Sequence, residues 1–344
     1  LWEFQETPAD RRSTADIYSA VLGKSDPDAR LDTPQKKLWA YRAASLYFRL
    51  ADFKKAAKWN NAMIIAEKAQ PALHWTLPQL YENRALIFRD RKQPPEEFDA
   101  AIKAMECLNE LGPLEQNPSA AASIYETLGR AYGDVGKLLL RGLSPEDREA
   151  LLELTCHADA LAFGEDSVWA GRTDKRDYDD RQRTCYEYAA RLREERFTFH
   201  SSDTFRTYIN LAYCAGVRCK NEPELLEREA DRQLRYSQRG LDISERCSTG
   251  AYSNIGLAYR ALEDYAHERE AFETLLEHRR RNSKKGDSRL YELQALLYLI
   301  EACKHGGDNE EASKRYKEVQ VLAKQLGVEE LFAHNLEEAG EGLL

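Results

Sequence analysis

The chain has 344 residues, 42% hydrophobic and 32% charged, and its 59 acidic against 50 basic residues give a formal charge of −9. That balance disfavours a general nucleic-acid binder, whose affinity rests on neutralising phosphates with Lys and Arg. No stretch approaches the roughly 18 consecutive apolar residues that a membrane-spanning helix needs.

Residues 1–33 read as a lead-in with a short helix near Asp10–Leu22 and a polar break from Gly23 to Asp28. The spacing of apolar residues then predicts paired helices at 35–50 and 53–69, 75–91 and 95–110, and 118–135 and 145–162. Residues 164–200 are expected to hold an irregular loop or hinge over Gly164–Asp180, polar and rich in mixed charge, followed by a degenerate repeat whose helix runs to about Arg196. Further pairs are predicted at 203–219 and 224–246, 250–262 and 265–281, and 288–304 and 309–326. An acidic capping helix at about 328–340, with Leu331, Phe332 and Leu336 at helical spacing, is expected to cover the last pair.

A block recurs within these helices. It reads Tyr125-Glu-Thr-Leu128-Gly129-Arg-Ala-Tyr132 and Tyr252-Ser-Asn-Ile255-Gly256-Leu-Ala-Tyr259, with weaker copies around Ala44, Ala85 and Ala212 and a degenerate one whose anchor place is Ile300. A turn with Asp52, Asp264 or Asp308 follows three of the copies, and Ala56 and Ala312 open the second helices. The block resembles the tetratricopeptide repeat, W-x2-L-G-x2-Y followed by A-x3-F, over most of residues 38–326. The resemblance implies an all-α, right-handed α-solenoid of about six irregular helix pairs at 34–163 and 201–326. A small anchor (Ala44, Ala85, Gly129, Ala212, Gly256) lets two helices approach, and the aromatic three residues on fills the gap. The turn aspartates are suited to cap the next helix. Successive anchors stand 41 to 44 residues apart, except for the 83 between Gly129 and Ala212. That doubled interval is read as a hidden unit between 145 and 200. Tetratricopeptide proteins with extended helices, such as kinesin light chains and peptide-sensing regulators of Gram-positive bacteria, are similar in this respect.

Enzyme signatures are missing. Gly129 to Lys137 lacks the spacing and the Ser or Thr of a phosphate loop. His267-Glu268 is not followed by a second histidine, and no residue set calls for a metal or another cofactor. The seven cysteines (Cys107, Cys156, Cys185, Cys214, Cys219, Cys247, Cys303) form no C-x-x-C pair, so they are read as buried thiols in a reducing, cytoplasmic compartment.

The expected function is non-catalytic: holding a protein or peptide in the groove lined by the first helix of each pair. Asn83, Asn210 and Asn254 each stand two residues before an anchor, and the resemblance implies that asparagines there hold the main chain of an extended ligand. Arg89, Arg130 and Arg260 lie beside them and suit a carboxylate, which points to an acidic partner. The subclass that grips a Glu-Glu-Val-Asp tail is rejected, because Tyr41 and Ser45 replace its lysine and asparagine. A basic loop, Arg279-Arg280-Arg281-Asn282-Ser283-Lys284-Lys285, would bind an acidic or phosphate group, present Ser283 as a phosphosite, or serve as a solvated turn. A start at Leu1 rather than Met opens a second reading, a ligand-sensing domain of a larger signalling or transcription protein. An enzyme on a helical-repeat scaffold is the remote third.

Overall fold

The structure, a computed structural model, describes residues 8–23, 31, 33–70, 76–112, 117–139, 143–169, 172–196, 202–243, 249–282 and 288–342. It is all-helical, with fifteen α-helices and no strand among the described residues. The chain divides into two compact units, residues 1–196 and 197–344.

Unit 1 contains α1 (Pro8–Gly23), α2 (Pro34–Arg49), α3 (Phe53–Lys68), α4 (Thr76–Asp90), α5 (Pro94–Glu110), α6 (Pro118–Leu139), α7 (Pro145–Phe163) and α8 (Lys175–Arg196). α2 packs along α3, α4 along α5 and α6 along α8, while α1 covers α2 and the first helices α4 and α6 touch directly. One continuous apolar core runs through the unit from Ala15 to Leu192. Unit 2 contains α9 (Ser202–Asn221), α10 (Leu226–Ile243), α11 (Thr249–Ala261), α12 (Tyr265–Asn282), α13 (Ser288–His305), α14 (Asn309–Leu326) and α15 (Ala333–Gly340). Here α9 packs on α10, α11 on α12 and α13 on α14, and Phe272, Leu296, Ile300 and Val319 centre the main core.

Local chemistry repeats at the hairpin turns. Ala51, Lys92, Glu263 and Gly307 all adopt the left-handed conformation (φ 56°, 58°, 57° and 76°). In each case the next N–H bonds back to the carbonyl five residues earlier: Asp52 to Tyr47, Gln93 to Phe88, Asp264 to Tyr259 and Asp308 to Cys303, at 2.8–3.0 Å. That is the closure that satisfies the last carbonyls of a helix. Asp52, Asp264 and Asp308 then accept the N–H of Lys55, His267 and Glu311, capping the helix that follows, as their sequence positions predict.

The small anchors pack as expected where the two glycines stand. A Cβ on Gly129 would lie 2.9 Å from the Cys185 side chain on α8, and one on Gly256 would lie 2.5 Å from the Phe272 ring on α12. The pairing in the third block differs from expectation. α6 packs on α8 rather than on α7, and α7 lies against α5. The long interval therefore holds one inserted helix and its connections, not a hidden pair. The helix expected to run to about Arg196 is α8, but it begins at Lys175, inside the segment read as loop. A buried ion pair fixes the insertion: Arg181 donates to both carboxylate oxygens of Asp159 on α7 (2.7–3.1 Å) and to the carbonyls of Trp169 and Arg172. The Tyr132 hydroxyl on α6 completes the knot by donating to Asp159 at 2.8 Å.

At the end of unit 2 the described tail helix is short. Phe332 and Leu336 pack on the α13–α14 core as expected, together with Val328. Leu331 does not; it is 75% exposed.

Candidate functional site

Two pockets, one in each unit, lie against first helices and contain asparagines named from the sequence. In unit 2 a solvent-open cleft of about 1100 Å3 lies between α9, α10 and α11. Tyr213, Val217, Leu226 and Leu257 give it apolar walls, and Asn254 and Arg260 line it together. Tyr213 projects a largely exposed ring, and the Gln233 side chain reaches the cleft from α10 although the residue is 2% exposed. No hydrogen bond of the Gln233 carboxamide is found among the described residues. Gly216 is what admits it: a Cβ there would sit 2.6 Å from the amide nitrogen.

In unit 1 a pocket of about 470 Å3 lies between α2, α3 and α4. Tyr41, Phe48, Met63 and Leu86 line it with Ser45, Asn60 and Asn83. Asn60 is 2% exposed and donates to the Leu80 carbonyl at 3.0 Å, which leaves its own carboxamide oxygen without a partner. The two pockets thus share a design: an aromatic side chain, a first-helix asparagine and a buried second-helix carboxamide with unused hydrogen-bonding capacity. Sequence reasoning missed Asn60 and Gln233. Their available signal was phase, because each is polar at a buried position of an otherwise small or apolar helical stripe.

The asparagine and arginine positions named from sequence do not form one ladder. Asn83 and Asn254 reach pockets, whereas Asn210 is half-buried on α9 outside the cleft that Asn254 lines. Asn254 does not stand clear of the packing seam, as its position had implied. It is 7% exposed, and its Nδ2 donates to the Ile209 carbonyl at 3.4 Å, tying α11 to α9. Arg260 is occupied by Glu268 (2.6 Å) and Glu301 (2.5 Å), so a guanidinium free to clamp a ligand carboxylate is not what this position offers. Arg89 is likewise turned to its neighbour Asp90 at 2.7 Å. Arg130, half-buried on α6, makes no ion pair within 4 Å among the described residues.

The basic run is also relocated. Arg279, Arg280 and Arg281 belong to the last turn of α12 rather than to a loop. Arg279 lies over the Tyr291 ring, Arg280 bridges to Glu292 on α13 and Glu318 on α14, and Arg281 pairs with Glu277. Ser283, Lys284 and Lys285 fall outside the described residues, as does Cys247. Five of the other cysteines are buried, with burial pushing the Cys107 and Cys219 thiols up to about 11, but Cys156 is exposed. No helix among the described residues is long and apolar enough to cross a membrane.

No protein-family model matches the chain, and no curated protein matches it. Among solved structures it is similar in fold to BtubC (BKLC) from P. vanneervenii, with a TM-score of 0.52 and 13% identity over 81% of this chain and 92% of that one. The likeness is one of helical architecture.

Proposed function

We propose that this chain is a non-catalytic scaffold of tetratricopeptide type, its helix pairs stacked as an α-solenoid, that holds a segment of a partner protein against its first helices. The observation that carries the reading is the unit 2 cleft, where the unpartnered Gln233 carboxamide stands among Tyr213, Leu226 and Leu257. A carboxamide that faces an apolar-walled cleft with no protein partner keeps its donor and its acceptor for whatever enters the cleft. A peptide unit offers both the donor and the acceptor it needs, and a neighbouring apolar side chain of the same segment fills the walls. The pocket around Asn60 and Asn83 repeats the arrangement in unit 1 and supplies a second point of attachment.

The test is selection from a random peptide library, with the enriched peptides measured on purified variants. Tyr213→Ala and Gln233→Leu should each weaken the selected peptides at least fivefold without loss of helix content. Peptides that bind both variants like the wild type would place recognition elsewhere and end this reading.

A further inference from the structure

Twelve residues after the anchor, where the second helix begins, four pairs carry Ala56, Glu97, Glu268 and Ala312. The two glutamates are both buried, at 1% exposure for Glu97 and 0% for Glu268, yet they are served differently. Glu268 receives the Nε–H of Arg260 at 2.6 Å and His305 at 3.2 Å, so an internal guanidinium fills its site. Glu97 has no hydrogen bond or ion pair of its side chain among the described residues, and its Oε1 is buried without a partner. Arg89 holds the place on α4 that Arg260 holds on α11, four residues past the anchor. It fails to serve Glu97 because the next residue is Asp90, which takes its Nε and Nη2 at 2.8 and 2.7 Å. The residue after Arg260 is Ala261, which offers no such competitor.

Around the vacant Glu97 carboxyl stand Arg89 and Asp90 from α4 and Arg130 and Asp134 from α6, all felt electrostatically by it. Asp90, Arg130 and Asp134 are half-buried. Two carboxylates stand near the buried one, Asp90 paired with Arg89 at 2.7 Å and Asp134 paired with Lys137 at 2.8 Å, while Arg130 makes no ion pair within 4 Å among the described residues. We propose that the site between α4, α5 and α6 receives an arginine side chain of the bound partner segment, whose guanidinium takes the place that Arg260 fills internally beside Glu268. A planar group with five donors can bond Glu97 bidentately and still share Asp90 with Arg89 and Asp134 with Lys137, more contacts than the three donors of a lysine ammonium allow. This inference rests on the scaffold reading and adds the charge of the residue that the unit 1 surface selects. It reverses the acidic ligand that the arginine positions alone had implied.

Burial, with Asp134 adding to it, pushes the Glu97 carboxyl up to about 8, so capture of a cation must release a proton and strengthen as pH rises. The experiment titrates acetyl-arginine-amide, with the uncharged acetyl-citrulline-amide as control, into the full chain and follows the Glu97 carboxyl by carbon NMR. The arginine compound should shift that resonance and bind at least tenfold tighter at pH 9 than at pH 6.5, and the citrulline compound should do neither. Glu97→Gln should abolish the pH dependence and the binding. Asp90→Ala should release Arg89 to fill the site, weakening the probe about tenfold and lowering the pH at which Glu97 ionises. An unmoved Glu97 resonance, or equal binding by Glu97→Gln or Asp90→Ala, overturns the proposal. If peptides from the library still depend on Tyr213 and Gln233 in that event, the scaffold reading survives and the arginine site alone falls.

Discussion

Arg260 on α11 donates its Nε–H to the fully buried carboxylate of Glu268 on α12 at 2.6 Å, and its Nη1 reaches Glu301 on α13 at 2.5 Å. One side chain therefore joins three helices of unit 2. Removing it by Arg260→Ala leaves a buried carboxylate with only His305, so the loss should be roughly 2–4 kcal/mol. The equivalent Arg89→Ala in unit 1 should cost less than about 1 kcal/mol, because Arg89 pairs with Asp90 at the surface. Denaturant unfolding of the two variants makes the comparison; equal losses would contradict it.

Glu97 makes unit 1 sensitive to alkali. Its carboxyl is raised from 4.5 to about 8 in the folded chain, so between these values the folded state keeps a proton that the unfolded state has released. Stability contributed by the protonated form is complete below about pH 4.5 and is lost as pH rises to about 8. Glu97→Gln should leave stability at pH 4 nearly unchanged and raise it by roughly 2–4 kcal/mol at pH 9. Thermal unfolding of both proteins across that range checks the sign, and a constant difference would refute the assignment.

Glu263 turns the α11–α12 hairpin with φ 57°, a conformation in which an L side chain crowds the following carbonyl. Glu263→Gly should therefore stabilise the protein by about 0.5–1 kcal/mol, and Ala51→Gly in the α2–α3 turn should do the same. Gly307→Ala, at the matching turn of α13–α14, should cost a similar amount. Melting temperatures of the three variants test the set, the informative feature being the opposite sign of the third.

The arginines at the end of α12 should differ although their charges do not. Arg280 spans to both α13 and α14, so Arg280→Gln should cost about 1 kcal/mol. Among the described residues Arg281 bonds only within its own helix, to Glu277, and Arg281→Gln should cost no more than about 0.5 kcal/mol. Urea midpoints measured at low and at molar salt would show the first effect shrinking with screening.

Helix positions were legible in the sequence because they depend on local signals. Gly129 and Gly256 marked the close approaches, and Asp52, Asp264 and Asp308 marked the helix starts. Which helix partners which was not fully legible. α6 chooses α8 over α7 because Gly129, Gly133 and Gly136 lie against Cys185, Gln182 and Tyr178, and that complementarity acts across more than forty residues of chain. The arginine positions misled for a related reason. Arg89 and Arg260 occupy the same place in the pattern, and only the residue beside each and the carboxylate across the turn decide where the guanidinium goes. Gln233 and Asn60 escaped notice because a polar residue in a buried stripe looks like noise until the cavity it faces is visible.

The insertion of α7 bears on how this architecture can be shortened or grafted. Residues 145–163 look like a removable segment, since the helices on either side of it already pack together. Yet excision would take Asp159 away and strand the Arg181 guanidinium and the Tyr132 hydroxyl inside unit 1. A trimmed version would need Arg181 and Tyr132 replaced by apolar residues of similar volume in the same step.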